Sequence, residues 1–186
     1  MEQSEKTLVE ACLRQDAAAQ RALYEQYKVP MFQLCLRYAQ DREEAEDLLQ
    51  EGFIRVFQDL RQYRGEGTLG AWIRRLMINV ALQHIRRKKR LFPTVDLEAI
   101  ADSYESDEVV FADLRVKALT QLIQQLPPGY RTVFNLFVIE GYSHQEIATQ
   151  LQISESTSKT QLLKAKAMLR KMLEISMISV AKKELD

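Results

Sequence analysis

Apolar residues along this chain recur at helical spacing, and no segment sustains the apolar/polar alternation of a half-buried strand. An opening helix is predicted from about Thr7 to Leu13, and Asp16 is placed to N-cap a second. Asp41-x-x-Glu44 has the form of a capping box. The helix after it carries Ala45, Leu48, Leu49, Phe53, Val56, Phe57 and Leu60, spaced as one buried stripe. Gly65 and Gly67 mark a short loop from Tyr63 to Thr68. Thr68 then caps a helix with the stripe Leu69, Trp72, Ile73, Leu76, Met77 and Val80, which runs into Arg86-Arg-Lys-Lys-Arg90. Pro93 stops regular structure. A second set of helices begins near Phe111. Leu119, Leu122, Ile123 and Leu126 form one stripe, broken at Pro127-Pro128-Gly129, and Tyr130, Val133, Phe134, Phe137 and Val138 form the next, ended by Gly141 as a C′ residue. Ser143-x-x-Glu146 is a second capping box, for a short helix through Leu151. Gln152-Ile153-Ser154 is a tight turn, and a long helix follows to about Leu173.

Composition narrows the class without naming it. Hydrophobic residues at 46% and charged residues at 28% are an ordinary globular balance. No apolar stretch approaches the ~20 residues needed to span a bilayer, which predicts no membrane insertion. The polar start Met1-Glu-Gln-Ser-Glu-Lys6 is unlike a secretory signal. Cys12 and Cys35 lie far apart and without His or Cys at metal-ligand spacing, as expected of reduced thiols in a cytosolic protein. The formal net charge of zero hides a partition. Residues 1–92 carry 16 basic and 13 acidic side chains, residues 93–126 carry 2 and 7, and residues 127–186 carry 8 and 6. Thr94 to Ala112 holds six acids and no base, the pattern of an at least partly extended linker.

Residues 143–171 have the proportions of a helix-turn-helix. Ser158, Leu162, Ala165, Leu169 and Met172 would face inward, against Ile147, Ala148 and Leu151. Ser156, Lys159, Thr160, Leu163, Lys164 and Lys171 would face out, suited to base edges and phosphates. A capped helix pair in any all-α protein has the same geometry. On the helix from Glu44 to Leu60 a second stripe, Asp47, Gln50, Glu51, Ile54 and Gln58, is polar except for Ile54. It is either a solvated face or a docking surface anchored by Ile54. Arg74, Arg75, Asn79, Gln83, Arg86 and Arg87 stand off the apolar stripe of their helix and suit a phosphate track or single-strand contacts. The Tyr63–Thr68 loop could hold an unstacked base or be a simple turn; Trp72 reads as core. Little points to an enzyme: His84 and His144 sit apart, and no Gly-rich phosphate loop is present.

Taken together, Asp41-Arg-Glu-Glu-Ala-Glu-Asp-Leu-Leu-Gln-Glu-Gly-Phe-Ile-Arg-Val-Phe57, Ala71-Trp-Ile-Arg-Arg-Leu-Met-Ile-Asn-Val-Ala81, Leu126-Pro-Pro-Gly-Tyr-Arg-Thr-Val-Phe134, Gly141-Tyr-Ser-His-Gln-Glu-Ile-Ala148 and Ile153-Ser-Glu-Ser-Thr-Ser-Lys-Thr-Gln-Leu162 resemble the extracytoplasmic-function (ECF) sigma factors of bacterial RNA polymerase, in order and across roughly residues 10–172. The resemblance implies an all-α fold of two small helical domains. They would be a sigma-two domain over 1–92, an acidic linker over 93–110, a sigma-four helix-turn-helix domain over 111–175 and a C-terminal tail over 176–186. It implies a cytoplasmic factor, without cofactor, metal or catalytic residue, that binds core polymerase and directs promoter recognition, melting and transcription initiation. Asp47, Gln50, Glu51 and Ile54 would bind the clamp helices of the largest subunit. Tyr63, Arg64, Glu66, Arg74, Asn79, Gln83 and Arg86 would read and melt the −10 element of promoter DNA by capturing a flipped base. Ser156, Lys159, Thr160, Leu163 and Lys164 would read the −35 element, with the second domain resting on the polymerase flap. The linker would thread the RNA exit channel, and an anti-sigma factor is an expected partner. The recognition helix departs from the family pattern: Ser156-Thr157-Ser158 stands where relatives often have Gly-Thr-Val, and Gln161 where Arg is frequent. A regulator that binds an operator without polymerase would also explain the helix-turn-helix, but leaves the 44–60 face and the acidic linker without a role.

Overall fold

A computed structural model of the chain describes residues 2–91 and 113–183. The acidic segment 93–110 and the expected start of the second domain near Phe111 lie outside the described residues. The helices are α1 (Glu2–Leu13), α2 (Ala17–Tyr38), α3 (Arg42–Asp59), α4 (Leu69–Leu91), α5 (Asp113–Gln124), α6 (Pro128–Phe134), α7 (His144–Leu151) and α8 (Glu155–Lys183), with no strand among the described residues. The fold divides into two compact units between Ile85 and Arg86.

In the first unit local chemistry starts α2 and α3. Asp16 accepts from the amides of Ala18 and Ala19 and opens α2. Asp41 accepts from the Glu44 amide at 2.8 Å, but Glu44 closes the box one residue further back, on the Gln40 amide at 2.7 Å. The other Glu44 oxygen lies 2.8 Å from His84 Nε2, tying the start of α3 to α4. Leu23, Leu34, Tyr38, Leu48, Val56 and Ile73 fill the core. α4 buries Ile78, Ala81, Leu82 and Ile85 besides most of its predicted stripe, so more than one of its faces is covered. Gly52 lets α3 approach α4: a Cβ there would lie 2.1 Å from the Met77 sulfur. Cys12 and Cys35 are both buried and unbridged, and burial pushes the Cys35 thiol up to about 12.

In the second unit Leu122, Ile123 and Leu126 pack on Ala165, Leu169 and Met172. Pro128 opens α6 at its first turn, where no amide is needed. Arg131 is almost fully buried and donates to the Gln124 carbonyl at 2.9 Å, satisfying the end of α5. The stripe predicted through Tyr130 and Val138 is corrected. Residues Asn135–Ile139 form a π-helical turn, closed by the Glu140 amide on the Asn135 carbonyl at 3.0 Å. The wider turn shifts the phase, so Leu136 is buried and Val138 is exposed. Gly141 ends this segment at φ +78°, and the Tyr142 amide bonds back to the Leu136 carbonyl, as predicted of a C′ glycine.

Two ends also differ from expectation. α1 begins at Glu2 rather than near Thr7. α8 continues to Lys183, so residues 176–183 of the expected tail are helical; Glu155–Lys183 contains neither Gly nor Pro to stop them.

Candidate functional site

Three surfaces collect the residues singled out from the sequence. On α3, Asp47, Gln50 and Ile54 are exposed and Glu51 is half-buried. They occupy the side opposite Ala45, Leu48, Gly52 and Val56, which are buried. Ile54 is 53% exposed, an apolar side chain within an otherwise polar strip. The α3 core stripe is complete without it, so packing does not account for its presence.

The second surface is the loop before α4 and the helix itself. The Tyr63 hydroxyl donates to the Gly67 carbonyl at 2.8 Å, and the Tyr63 ring lies 5.7 Å from that of Trp72. Gly65 and Gly67 take φ of +77° and +87°, a conformation that side chains resist. Arg64 and Glu66 project at this closed turn, both exposed. Trp72 is half-buried rather than fully core. Along α4 the exposed Arg75, Asn79 and Gln83 recur every fourth residue, with half-buried Arg86 beside the end of the row. Arg74 is set apart from them, in line with buried Ile78, Ala81 and Ile85. Arg75 thus joins the row more directly than Arg74 does; its i+4 spacing from Asn79 was the available signal.

The third surface is the helix-turn-helix. Ser143 and Glu146 complete the capping box reciprocally: the Ser143 hydroxyl oxygen accepts from the Glu146 amide at 3.2 Å, and the Glu146 carboxylate accepts from the Ser143 amide at 2.8 Å. These bonds hold the exposed Glu146 carboxyl below its usual range. Gln152 turns the chain at φ +56°. Ser154 then caps α8 by accepting from the Thr157 amide at 3.0 Å. Its hydroxyl also meets those of Ser156 and Thr157, at 2.8 and 2.7 Å. Ser158, Leu162, Ala165, Leu169 and Met172 are buried, as their spacing predicts. His144 Nδ1 bonds the buried Ser158 hydroxyl at 2.9 Å while its ring stacks on Phe137 at 4.3 Å. Outward stand Ser156, Lys159, Thr160, Leu163 and Lys164. Lys159 pairs with Glu155 at 2.8 Å, which draws the Glu155 carboxyl below its usual range. Leu163, 70% exposed, is the most exposed large apolar side chain among the described residues. Gln161 turns away from this face toward α6, where its side chain fills the space beside Gly129.

A family model described as sigma-70 region 2 matches residues 23–91, and one described as sigma-70 region 4 matches residues 117–169. The RNA polymerase sigma-H factor of Pseudomonas aeruginosa is 29% identical over 184 residues, covering 93% of this chain and 95% of that protein. The chain is an ECF sigma factor. The ECF sigma factor SigW of Bacillus subtilis is likewise 29% identical, over 93% of this chain and 98% of its own length. SigE of Mycolicibacterium smegmatis is 31% identical over 80% of this chain and 59% of that protein. A solved sigma factor of Bartonella quintana, RpoE in complex with the anti-sigma factor NepR, shares the fold at a TM-score of 0.51 and 16% identity, covering 83% of this chain and 96% of that one. Membership of this family sets aside the operator-binding regulator, which has no use for a region 2. As an ECF sigma factor the chain is an alternative initiation factor that directs RNA polymerase to promoters. Among the described residues no helix is long and apolar enough to cross a membrane, and no group of His, Cys, Asp and Glu could hold a metal ion.

Proposed function

We propose a division of labour among the three surfaces. Ile54, with Asp47, Gln50 and Glu51, docks the first unit on the clamp helices of the largest polymerase subunit. An apolar anchor ringed by polar groups is how a transient protein interface concentrates its energy. The Tyr63–Thr68 loop captures an unstacked base of the −10 element through Tyr63, Arg64 and Glu66. The α4 row of Asn79, Gln83 and Arg86, with Arg75 as a better-placed member than Arg74, follows the melted strand. Capture of an extruded base offsets the unstacking that promoter opening requires.

The α8 face places Thr160, Leu163 and Lys164 in the major groove of the −35 element. Leu163 suits a thymine methyl and Lys164 a phosphate. Ser156 and Lys159 must exchange their contacts with Ser154 and Glu155 for contacts with DNA. The second unit rests on the polymerase flap, and the acidic segment 93–110 occupies the RNA exit channel, where carboxylates suit a passage built to hold RNA phosphates. All chemistry belongs to the polymerase, so the chain carries no catalytic residue, and it works where the polymerase does, in the cytoplasm. An anti-sigma factor is its regulatory partner.

The observation that carries this reading is the exposed Ile54 within a polar strip, on a unit separate from the one bearing the recognition helix. Ile54→Glu and Lys164→Ala test it as a pair. The first should lose co-elution with core polymerase while keeping its helical content; the second should keep core binding and lose promoter affinity. Retention of core binding by Ile54→Glu would remove the docking face.

A further inference from the structure

The loop proposed to capture the flipped base is held from outside its own neighbourhood in sequence. Thr68 caps α4 by accepting from the Ala71 amide at 3.3 Å, which leaves the amide of Leu69, the first residue of the helix, to another acceptor. That acceptor is Glu5 of α1, whose Oε2 lies 3.4 Å from the Leu69 nitrogen. Its second oxygen, Oε1, lies 3.4 Å from the Tyr27 hydroxyl on α2. One carboxylate therefore joins three helices at the point where the loop becomes α4.

The surroundings fit a built contact. Tyr27 and Leu69 are buried and Glu5 is half-buried. Gly70 lets the Tyr27 ring come close: a Cβ there would lie 3.1 Å from it. Burial first, and then the Glu5 carboxylate, push the Tyr27 hydroxyl up to about 12, so it stays protonated and able to donate. α1 also packs on the turn Leu60–Gln62 that enters the loop, so the same helix touches the loop before and after its tip. A carboxylate at a helix N-terminus is favoured by the helix dipole as well as by the bond it accepts.

We propose that Glu5 is a positioning residue for promoter opening: from α1 it completes the N-terminal cap of α4 and so fixes the Tyr63–Thr68 loop in its capture geometry. The inference rests on the reading of that loop given above. It gives α1, which the first family match does not reach, a part in promoter opening.

The test uses the full chain with core polymerase and a promoter carrying 2-aminopurine in the −10 element. Glu5→Ala should speed exchange of the Leu69 amide about five-fold, the change that loss of one cap corresponds to. Trp72, the single tryptophan, sits against Tyr63, and its fluorescence should become more quenchable by acrylamide. Promoter opening should fall by a similar factor with core binding unchanged. Glu5→Gln keeps an oxygen for the Leu69 amide and should restore all three readouts toward the parent. If Glu5→Ala folds poorly, Tyr27→Phe, which removes the hydroxyl from the carboxylate, should move the same readouts in the same direction by less. Leu69 exchange and Trp72 quenching unchanged in Glu5→Ala would overturn the inference. So would opening that is lost in Arg64→Ala but intact in Glu5→Ala. Opening intact in both variants would instead overturn the loop reading, and the inference with it.

Discussion

The close approach of α3 to α4 at Gly52 gives a prediction whose size follows from the geometry. A methyl group at Gly52 would stand 2.1 Å from the Met77 sulfur and 2.9 Å from its terminal methyl, and Met77 is only 1% exposed. The side chain must leave its rotamer within a filled core, an overpacking that costs roughly 1–3 kcal/mol. Against this, Gly→Ala in a helix interior gains about 1 kcal/mol in propensity. The sulfur contact is far inside van der Waals distance, which places the overpacking in the upper part of its range. Gly52→Ala should therefore lose ~1–2 kcal/mol net. Met77→Ala alone should cost roughly 2–5 kcal/mol by leaving a cavity. In that background Gly52→Ala meets no sulfur and should recover about 1 kcal/mol, so the two changes are coupled by ~2–3 kcal/mol. Thermal unfolding followed by Trp72 fluorescence reports the first unit, and a unit of this size shifts by about 4–8 °C per kcal/mol. Equal effects of Gly52→Ala with and without Met77 would refute the claim that this glycine sets the helix spacing.

Other outcomes follow from the same features. Lys164→Ala should weaken promoter binding and reduce the slope of log affinity against log salt by about 0.9, the loss of one phosphate contact; an unaltered slope would contradict its role. Arg75→Ala should reduce open-complex formation more than Arg74→Ala, read by 2-aminopurine fluorescence at equal core occupancy, because Arg75 lines up with Asn79 and Gln83. In alkali the fold should weaken. Burial raises the Cys35 thiol from 9.0 to about 12 and the Tyr27 hydroxyl from 10.0 to about 12. Groups held protonated by the fold contribute stability that is present in full below their unfolded values and lost as pH rises toward the folded ones. The urea midpoint should hold up to about pH 9 and fall progressively toward pH 12; a flat midpoint would count against burial of both groups.

What could be read from the sequence was local. Asp16, Asp41, Ser143 and Gly141 announce helix ends because a cap or a left-handed residue acts within four or five positions of itself. The α8 face was legible for the same reason: Ser158, Leu162, Ala165, Leu169 and Met172 repeat at the period of one regular helix. Periodicity misled where the period changed. The π-helical turn at Asn135–Ile139 exchanged Leu136 for Val138 in the core, and no residue type there signals the wider turn. Long-range partners were out of reach altogether. Glu5 meets Leu69 across 64 positions and Glu44 meets His84 across the α3–α4 interface. Arg131 is buried where it donates to the last carbonyl of α5. Of the candidate residues, Ser156 and Lys159 face outward as expected, and their partners Ser154 and Glu155 stand two and four positions away.

The central claim, that this ECF sigma factor carries its polymerase-docking face and its −35-reading helix on separate units, is tested most directly by reconstitution. The purified chain is mixed with bacterial core RNA polymerase and genomic DNA fragments, and run-off transcripts are mapped beside those of Ile54→Glu and Leu163→Asp. The parent chain should co-elute with core and start transcripts at defined sites; Ile54→Glu should lose both, and Leu163→Asp should keep co-elution while losing the defined starts. Defined starts that persist in Ile54→Glu, or a parent chain that does not bind core at all, would contradict the account.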